Sequence, residues 1–478
     1  MGDKKASNDP SQSGHKTGDH FCDSKAGELI ISHSSADAAA QELVTEIKEG
    51  KIEHMKYLNG MDEWLKHWDS NMPEITEYKL HLVGVPYGQE SWKMNYLQFL
   101  YKQTLIGHLQ SGKASLEFAG ALARPDLHFI AQPNHLLKLV GAAAGAAPAQ
   151  QPARKSEPVV KAGNFRFSKY HQQYRSMLNV PGRSDTALAP KYYREVGDSV
   201  PVTIAVLDTG VAADFTPNRE EFNLTDPERS GQATDEQGHG TIMCKIISDV
   251  ALFARIRVFK VWNEGAAVEW DALAGVLLAS KTPSIINVSL RFGLQDVTCS
   301  ECGRKSNLSR ALTYSHATRS TVFENVIRLV VDAGSIVVAA AGNENRNELA
   351  YPARFNHAVA ISSVNSRLKR SSFSNYGTTN SDGQPHENRF ALPGGETEPP
   401  AEPIGSFGTD TRNMAGTSHA AAYATGVVAH FWQRARTEER NPMGLIAAMR
   451  MATESPDKKA TKFSGYNAAE HGHGIPRL

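Results

Sequence analysis

Apolar positions divide the chain into regions of different character. Between residues 25 and 134, apolar residues such as Leu43, Ile47 and Leu58 recur at intervals of about three and four. This spacing predicts helices, and we expect their apolar faces to form an ordinary core. Residues 141–158 are rich in alanine, glycine and proline, which predicts a linker with little to bury.

After about Val200 the pattern changes to short runs that are apolar on both alternating faces. Such runs are typical of strands covered on both sides, as in a parallel sheet. The predicted strands are 202–208, 256–262, 284–290, 335–343 and 358–364. Helical segments at 269–280 and 319–333 provide the crossovers that parallel strands require. The pattern therefore predicts a doubly wound α/β domain, whose ligand site lies at the carboxyl ends of the strands.

The charge balance and the hydropathy narrow the class of protein. The 478 residues include 51 Lys and Arg and 51 Asp and Glu, which argues against nucleic-acid and anionic-membrane partners. No apolar run is long enough to span a bilayer, and the polar N-terminus lacks the apolar stretch of a secretory signal. The four cysteines are too few for a disulfide framework in a chain of this length. We therefore expect a cytoplasmic protein.

Three residues of complementary chemistry lie in the α/β region. Asp208 ends the first strand, His239 lies between two glycines, and Ser418 precedes a helix rich in alanine and valine. Amide hydrolysis needs a nucleophile, a base and an anion that orients the base. Asn343, at the end of another strand, adds an amide donor for a developing oxyanion. Each residue alone has an ordinary explanation as a cap or loop residue, but together they indicate a peptidase.

The motifs around these residues, in the order Asp, His, Ser, resemble those of the subtilisin-like serine peptidases, the subtilases. The matching segments are Asp208-Thr209-Gly210, His239-Gly240-Thr241, Gly416-Thr417-Ser418-His419-Ala420, INVSLRFG at 286–293 and AAAGNEN at 339–345. The resemblance covers about residues 196–478 and implies a subtilisin-like catalytic domain.

The resemblance also implies a role for each matching residue. Ser418 would be the nucleophile, His239 the general base and Asp208 the orienting carboxylate. Asn343 and the backbone N–H of Ser418 would form the oxyanion hole. The residues expected to bind substrate are Ser289, Leu290, Arg291 and Gly342. No metal ligands are assigned and no cofactor is expected to be required, while the structural calcium of many relatives is left open.

Several positions depart from the family's pattern. His419 replaces the usual methionine after the nucleophile, Ala422 a proline, and Ile242 a second histidine. Arg291 and Phe292 replace glycines at a wall of the expected specificity pocket. Bulk and charge there either restrict the pocket or favour acidic substrate side chains, so substrate preference does not follow from the resemblance.

The cysteines raise a separate question. Cys299 and Cys302 form a CxxC pair, for which free or redox-active thiols are favoured over a zinc site with His316 as a third ligand. Cys244 follows His239 closely and is expected to be a small buried residue.

We divide the chain into a disordered tail, a mainly helical accessory domain, a linker with a candidate prosegment-like region, and the catalytic domain. Their ranges are 1–24, 25–140, 141–195 and 196–478. The expected function is that of an intracellular serine endopeptidase acting on proteins or peptides. The accessory domain would bind a regulatory partner or restrain the enzyme, and a restraint predicts that removing about 195 residues raises activity. The alternative is a catalytically silent protein that binds peptides or partners.

Overall fold

The computed structural model describes most of the chain. The described residues are 24–86, 89–114, 118, 121–122, 128–140, 160–180, 202–216, 219–263, 266–292, 319–408, 410–411, 414–435, 440–453 and 466–478. They form two units, of which the first contains 24–60 and 75–134. The second contains 61–74 and the described residues from 135 onward. Cys299, Cys302 and the predicted tail up to residue 23 lie outside the described residues.

The secondary structure is numbered along the chain. The strands are β1 Ser24–Ser34, β2 Lys56–Gly60, β3 Tyr78–Gly84, β4 Phe129–Leu139, β5 Phe165–Phe167, β6 Thr203–Asp208, β7 Arg219–Asn223, β8 Arg255–Lys260, β9 Trp262–Asn263, β10 Ala266–Val268, β11 Ile285–Val288, β12 Leu290–Phe292, β13 Ile336–Ala340, β14 Ala358–Val364, β15 Arg389–Pro393 and β16 Gly405–Phe407. The α-helices are α1 Ala38–Lys48, α2 Met61–Leu65, α3 Glu90–Gln110, α4 Lys169–Met177, α5 His239–Val250, α6 Glu269–Ala279, α7 Thr321–Asp332, α8 Thr417–Arg434, α9 Pro442–Thr453 and α10 Ala468–His471.

The first unit combines a sheet with helices and is not mainly helical. β3 pairs antiparallel with both β1 and β2. Leu43 of α1 and Leu97 of α3 share a buried core with Leu29 of β1. The predicted helical spacing does not continue past Gly50, where a φ of +69° ends α1, and Leu58 lies in β2. The prediction of a mainly helical domain is therefore corrected to a mixed α and β unit.

The second unit is built on a sheet of seven parallel strands in the order β15-β14-β13-β11-β6-β8-β7. Ile204 and Val206 of β6 lie in a core shared with α5 and α8. Leu207 points to the other face and contacts the position of Gly275 in α6. Helices therefore cover both faces, as the sequence predicts for a doubly wound fold.

Residues 160–180 are part of the second unit. β5 pairs antiparallel with β16, and Phe165, Tyr174 and Leu178 are buried in the unit's core. The segment assigned to a linker at 141–195 therefore contains a folded piece of the catalytic unit.

The end of β4 also belongs to the second unit. Leu139 lies opposite Leu290 of β12, and Leu137 lies opposite Ala267 of β10. Val140, which follows β4, donates its N–H to the carbonyl oxygen of Ser289 at 2.8 Å. The last residues of the predicted accessory domain therefore form a strand beside the segment that is expected to bind substrate.

No described helix is both long and apolar enough to cross a membrane. Within the same part of the chain, no group of three or more His, Cys, Asp or Glu residues is arranged to hold a metal ion.

Candidate active site

The carboxyl end of β6 meets the start of α5. Asp208 is buried, and its Oδ1 and Oδ2 lie 2.8 and 3.0 Å from Nδ1 of His239. The N–H of Thr209 donates to Oδ1 at 2.8 Å. The carboxylate therefore accepts a proton carried on Nδ1, which leaves Nε2 as the basic nitrogen. Nε2 has no hydrogen-bond partner among the described residues.

Asp235, which the sequence analysis missed, holds the loop before His239. Its Oδ1 accepts from the N–H of Gly238 at 2.7 Å and from Oγ1 of Thr209 at 2.8 Å. Its Oδ2 accepts from the N–H of Thr241 at 2.8 Å. These bonds join the end of β6 to the first turn of α5. The signal available in the sequence is an aspartate four residues before the histidine.

The glycine after the histidine is required by a close approach of two backbones. A Cβ on Gly240 would lie 2.2 Å from the carbonyl oxygen of Gly210, a separation that no side chain tolerates. Both glycines belong to the motifs that contain the aspartate and the histidine. The motifs therefore preserve the packing that brings these two side chains together.

Ser418 is the second residue of α8 and is buried. The residue before it, Thr417, orients Asn343, because Oδ1 of Asn343 accepts from the N–H of Thr417 at 2.9 Å and from its Oγ1 at 2.8 Å. With Oδ1 bound in this way, the amide directs Nδ2 as a donor to the opposite side. Nδ2 donates to the carbonyl oxygen of Val140 at 3.3 Å.

The carbonyl oxygen of Val140 is where these groups meet. It accepts hydrogen bonds from Oγ of Ser418 and from Nδ2 of Asn343. A Cβ on Gly416 would lie 3.0 Å from that Nδ2 and 3.7 Å from the Val140 oxygen. The oxygen thus lies between the serine hydroxyl and a side-chain amide donor. Nδ2 of Asn343 therefore has the position of one oxyanion donor to the carbonyl of a bound peptide.

The remaining residues that are expected to bind substrate lie on both sides of Val140. Leu290 and Arg291 lie in β12, in register with Leu139 and Lys138 of β4. Gly342 donates its N–H to Oγ1 of Thr417 at 3.1 Å. The structure therefore brings Ser289, Leu290, Arg291 and Gly342 to the same site as Asn343 and Ser418.

The electrostatics of the site favour a basic His239. Burial opposes protonation of the imidazole most strongly, but the charge and hydrogen bond of Asp208 and the charge of Asp235 together raise the pKa of His239 above its usual value. The thiol of Cys244 is buried, as the sequence predicts, and its pKa is raised by burial. That thiol is therefore protonated and a poor nucleophile at neutral pH.

His419 lies beside His239. The two ring centroids are 6.3 Å apart in an edge-to-face arrangement, which places the residue after Ser418 next to His239. Both ring nitrogens of His419 are buried without a hydrogen-bond partner in the described part of the chain. Burial first, and the charge on His239 second, lower the pKa of His419 to about 3. The ring is therefore neutral at physiological pH.

Comparisons with known proteins identify the family to which the chain belongs. The model of the Subtilase family matches residues 200–469. Subtilisin Savinase of Lederbergia lenta is 30% identical over 200 residues, which are 42% of this chain and 69% of that protein. An alkaline protease of Shouchella clausii is also 30% identical over 200 residues, which cover 42% of this chain and 49% of that relative.

A solved structure is similar over a longer range. The epidermin leader peptide processing serine protease of Staphylococcus aureus aligns with 95% of this chain and 97% of its own chain, with a TM-score of 0.56 and 16% identity. At this identity the likeness concerns the fold alone. The family model, by contrast, spans more than half of the chain and includes Asp208, His239 and Ser418, and on that match the chain belongs to the subtilase family of serine endopeptidases.

Proposed function

We propose that the peptidase acts through a triad of Asp208, His239 and Ser418, with Asn343 in the oxyanion hole. Oγ of Ser418 attacks the carbonyl carbon of the scissile bond while Nε2 of His239 takes the hydroxyl proton. Asp208 holds the proton on Nδ1 and stabilises the imidazolium. Nδ2 of Asn343 donates to the oxyanion. The proton on Nε2 then passes to the leaving amine, and water releases the acyl group by the same steps.

The observation that carries this proposal is the pair of contacts on the Val140 carbonyl. A nucleophile and an oxyanion donor converge on one carbonyl oxygen of an extended peptide. The hydrogen bond from Val140 N–H to Ser289 fixes the same peptide from the other side. A protein that only bound peptides would not need the buried pair of Asp208 and His239.

The same contacts support a role for the region before residue 141. Residues 136–140 occupy the acyl side of the cleft, so no other peptide binds there while they remain in place. This region therefore acts as an intramolecular inhibitor, and the bond between Val140 and Gly141 is presented to Ser418 for self-cleavage. The folded segment 160–180 belongs to the enzyme and not to the restraint, because it contributes to the core of the second unit. Activation thus requires removal of residues up to 140, and not of 195.

Self-cleavage of the full chain tests both parts of the proposal. Purified protein is incubated, and its fragments are identified by mass spectrometry and N-terminal sequencing. We expect a new N-terminus at Gly141 and covalent labelling of Ser418 by a fluorophosphonate in the larger fragment. Ser418→Ala should remain intact and unlabelled, and Ser70→Ala, at an exposed position, should behave as the wild type.

Two outcomes would contradict the proposal in different ways. A chain that stays intact and is not labelled in any variant would favour the catalytically silent binding protein. If the intact chain is labelled at full rate, the proposed peptidase function holds, but residues 136–140 do not inhibit the enzyme.

A further inference from the structure

The strand that fills the cleft shows which substrate positions the site encloses. Leu137 and Val140 are both buried, at 0% and 1% exposure, whereas Leu139 between them is partly exposed. β12 and β10 pair with the strand on its two edges, which fixes its backbone. Recognition is therefore concentrated on the residue on the acyl side of the scissile bond and on the residue three positions before it.

The backbone of the acyl-side residue is held between two segments of the enzyme. The N–H of Val140 is bound by Ser289, just before β12, and its carbonyl oxygen is bound by Asn343. We call the space between residues 289–292 on one wall and residues 342–344 on the other the acyl-side pocket.

An ion pair joins these two walls. NH2 of Arg291 lies 3.1 Å from Oε1 of Glu344, with 6% and 15% of the two side chains exposed. The other oxygen of Glu344 accepts from Nδ2 of Asn375 at 2.7 Å. That oxygen would lie 2.7 Å from a Cβ placed on Gly342, so the carboxylate lies directly over the second wall. The pair therefore bridges the two walls of the acyl-side pocket.

The ion pair also indicates whether the pocket restricts the size of the substrate side chain or attracts acidic side chains. A large side chain would have to separate two partly desolvated charges, which is costly because each would lose its partner away from bulk water. Glu344 already supplies Arg291 with a carboxylate, so an acidic substrate meets a neutral pair and not a free cation.

We infer that the Arg291–Glu344 ion pair makes the enzyme cleave after small aliphatic residues, such as valine and alanine. This inference rests on the proposed peptidase function and names its substrate class. The buried Leu137 adds an aliphatic preference three positions before the cleaved bond.

Peptides copied from the seated strand test the inference. Self-processed enzyme, counted by fluorophosphonate titration, is assayed on Leu-Leu-Lys-Leu-X-Gly-Ala-Ala with X as Val, Ala, Phe or Glu. We expect kcat/KM for Val and Ala to exceed that for Phe and Glu by about tenfold or more, the range that pocket size alone achieves. Equal rates, or a preference for Phe or Glu, would overturn the inference while titratable enzyme upheld the peptidase itself.

Two substitutions then locate the cause. Arg291→Gly should raise the rate for Phe relative to Val by about tenfold. Glu344→Gln keeps the pocket filled but removes the carboxylate that pairs with the guanidinium, so it should raise the rate for Glu relative to Val severalfold. Arg367→Gly, in an exposed turn, should leave both ratios unchanged. Ratios that stay at wild-type values in both pocket variants would overturn the assignment to this pair, and each variant tests it separately if the other does not fold.

Discussion

Thr417 donates two hydrogen bonds to Oδ1 of Asn343, one from its N–H at 2.9 Å and one from its hydroxyl at 2.8 Å. The residue before the nucleophile thereby sets the direction of the oxyanion donor. Because an amide offers its oxygen and its nitrogen in opposite directions, rotation of Asn343 would present the wrong group to the substrate carbonyl.

Removing one of these bonds should therefore lower turnover without removing the nucleophile. Thr417→Val removes the hydroxyl that donates to Asn343 and accepts from the N–H of Gly342. We expect it to reduce kcat by at least about tenfold, which corresponds to about 1.4 kcal/mol. Thr417→Ser, which keeps the hydroxyl, should remain near the wild-type rate. Steady-state kinetics on the valine peptide, normalised to fluorophosphonate-titrated enzyme, measure the effect. A wild-type rate in Thr417→Val would exclude the hydroxyl as the group that orients Asn343, and a loss in Thr417→Ser alone would assign the effect to the methyl group.

The raised pKa of His239 predicts where activity is lost in acid. Catalysis needs the neutral imidazole, so the rate falls as the pH drops through the pKa of this group. Because Asp208 and Asp235 raise that pKa against the effect of burial, the acid limb should lie above pH 6.5, the ordinary value for histidine. The rate of fluorophosphonate labelling of processed enzyme, followed from pH 5 to 9, reports this group without a peptide substrate. A midpoint at or below 6.5 would contradict the assignment.

His419 should cost the protein stability. Its two ring nitrogens are buried without described partners, a condition that costs about 1–3 kcal/mol. His419→Met, of similar volume and without such polar atoms, should therefore stabilise the protein by about that amount at pH 7.5. Urea unfolding is measured in the Ser418→Ala background, which excludes self-cleavage.

The same substitution should change the acid side of the stability curve. The pKa of His419 is lowered to about 3 in the folded protein. As the pH falls below 6.5, this histidine is therefore protonated in the unfolded chain but not in the folded one, and the free energy of unfolding decreases. The loss is about 1.4 kcal/mol per pH unit, and it should be absent in His419→Met. The slopes of the free energy of unfolding against pH are compared between the two proteins, and equal slopes would contradict the prediction.

A buried carboxylate, that of Asp249, connects residues 160–180 to the rest of the second unit. Oδ2 of Asp249 lies 2.8 Å from Nε2 of His171 and also accepts a hydrogen bond from Arg175. We expect Asp249→Asn to lower the free energy of unfolding by about 3 kcal/mol, because Arg175 would lose its charged partner in a buried site. Asp332→Asn, at the exposed end of α7, should change it by less than about 0.5 kcal/mol. An effect of similar size in both variants would argue against the buried cluster.

The sequence predicts the sheet well where strands are apolar on both faces. The runs that end at Asp208 and Val364 match β6 and β14 almost residue for residue. The run Arg-Glu-Glu-Phe-Asn forms β7 without such a signal, because an edge strand is covered on one side only. The prediction of a mainly helical first unit is wrong for a related reason. Helical spacing over a short stretch does not exclude a strand after Gly50.

The candidate site also has parts that the sequence predicts and parts that only the structure reveals. Asp208, His239, Asn343 and Ser418 lie in motifs that the sequence alone reveals; the structure pairs Asp208 with His239 and brings Asn343 and Ser418 to one carbonyl oxygen. The contact between Ser418 and Val140 spans 278 residues and follows from no local pattern. Asp235 has a sequence signal, but only its hydrogen bonds reveal what it holds.

The peptide that ends at Val140 is joined covalently to the enzyme whose cleft it fills. A tethered ligand of this kind has a local concentration in the millimolar range, so a substrate supplied at micromolar levels competes poorly with it. Dilution does not weaken such a blockade, since both partners travel together. A preparation of uncleaved chains would thus show no activity in a routine screen. Its measured specific activity would report the fraction of molecules that are already cleaved.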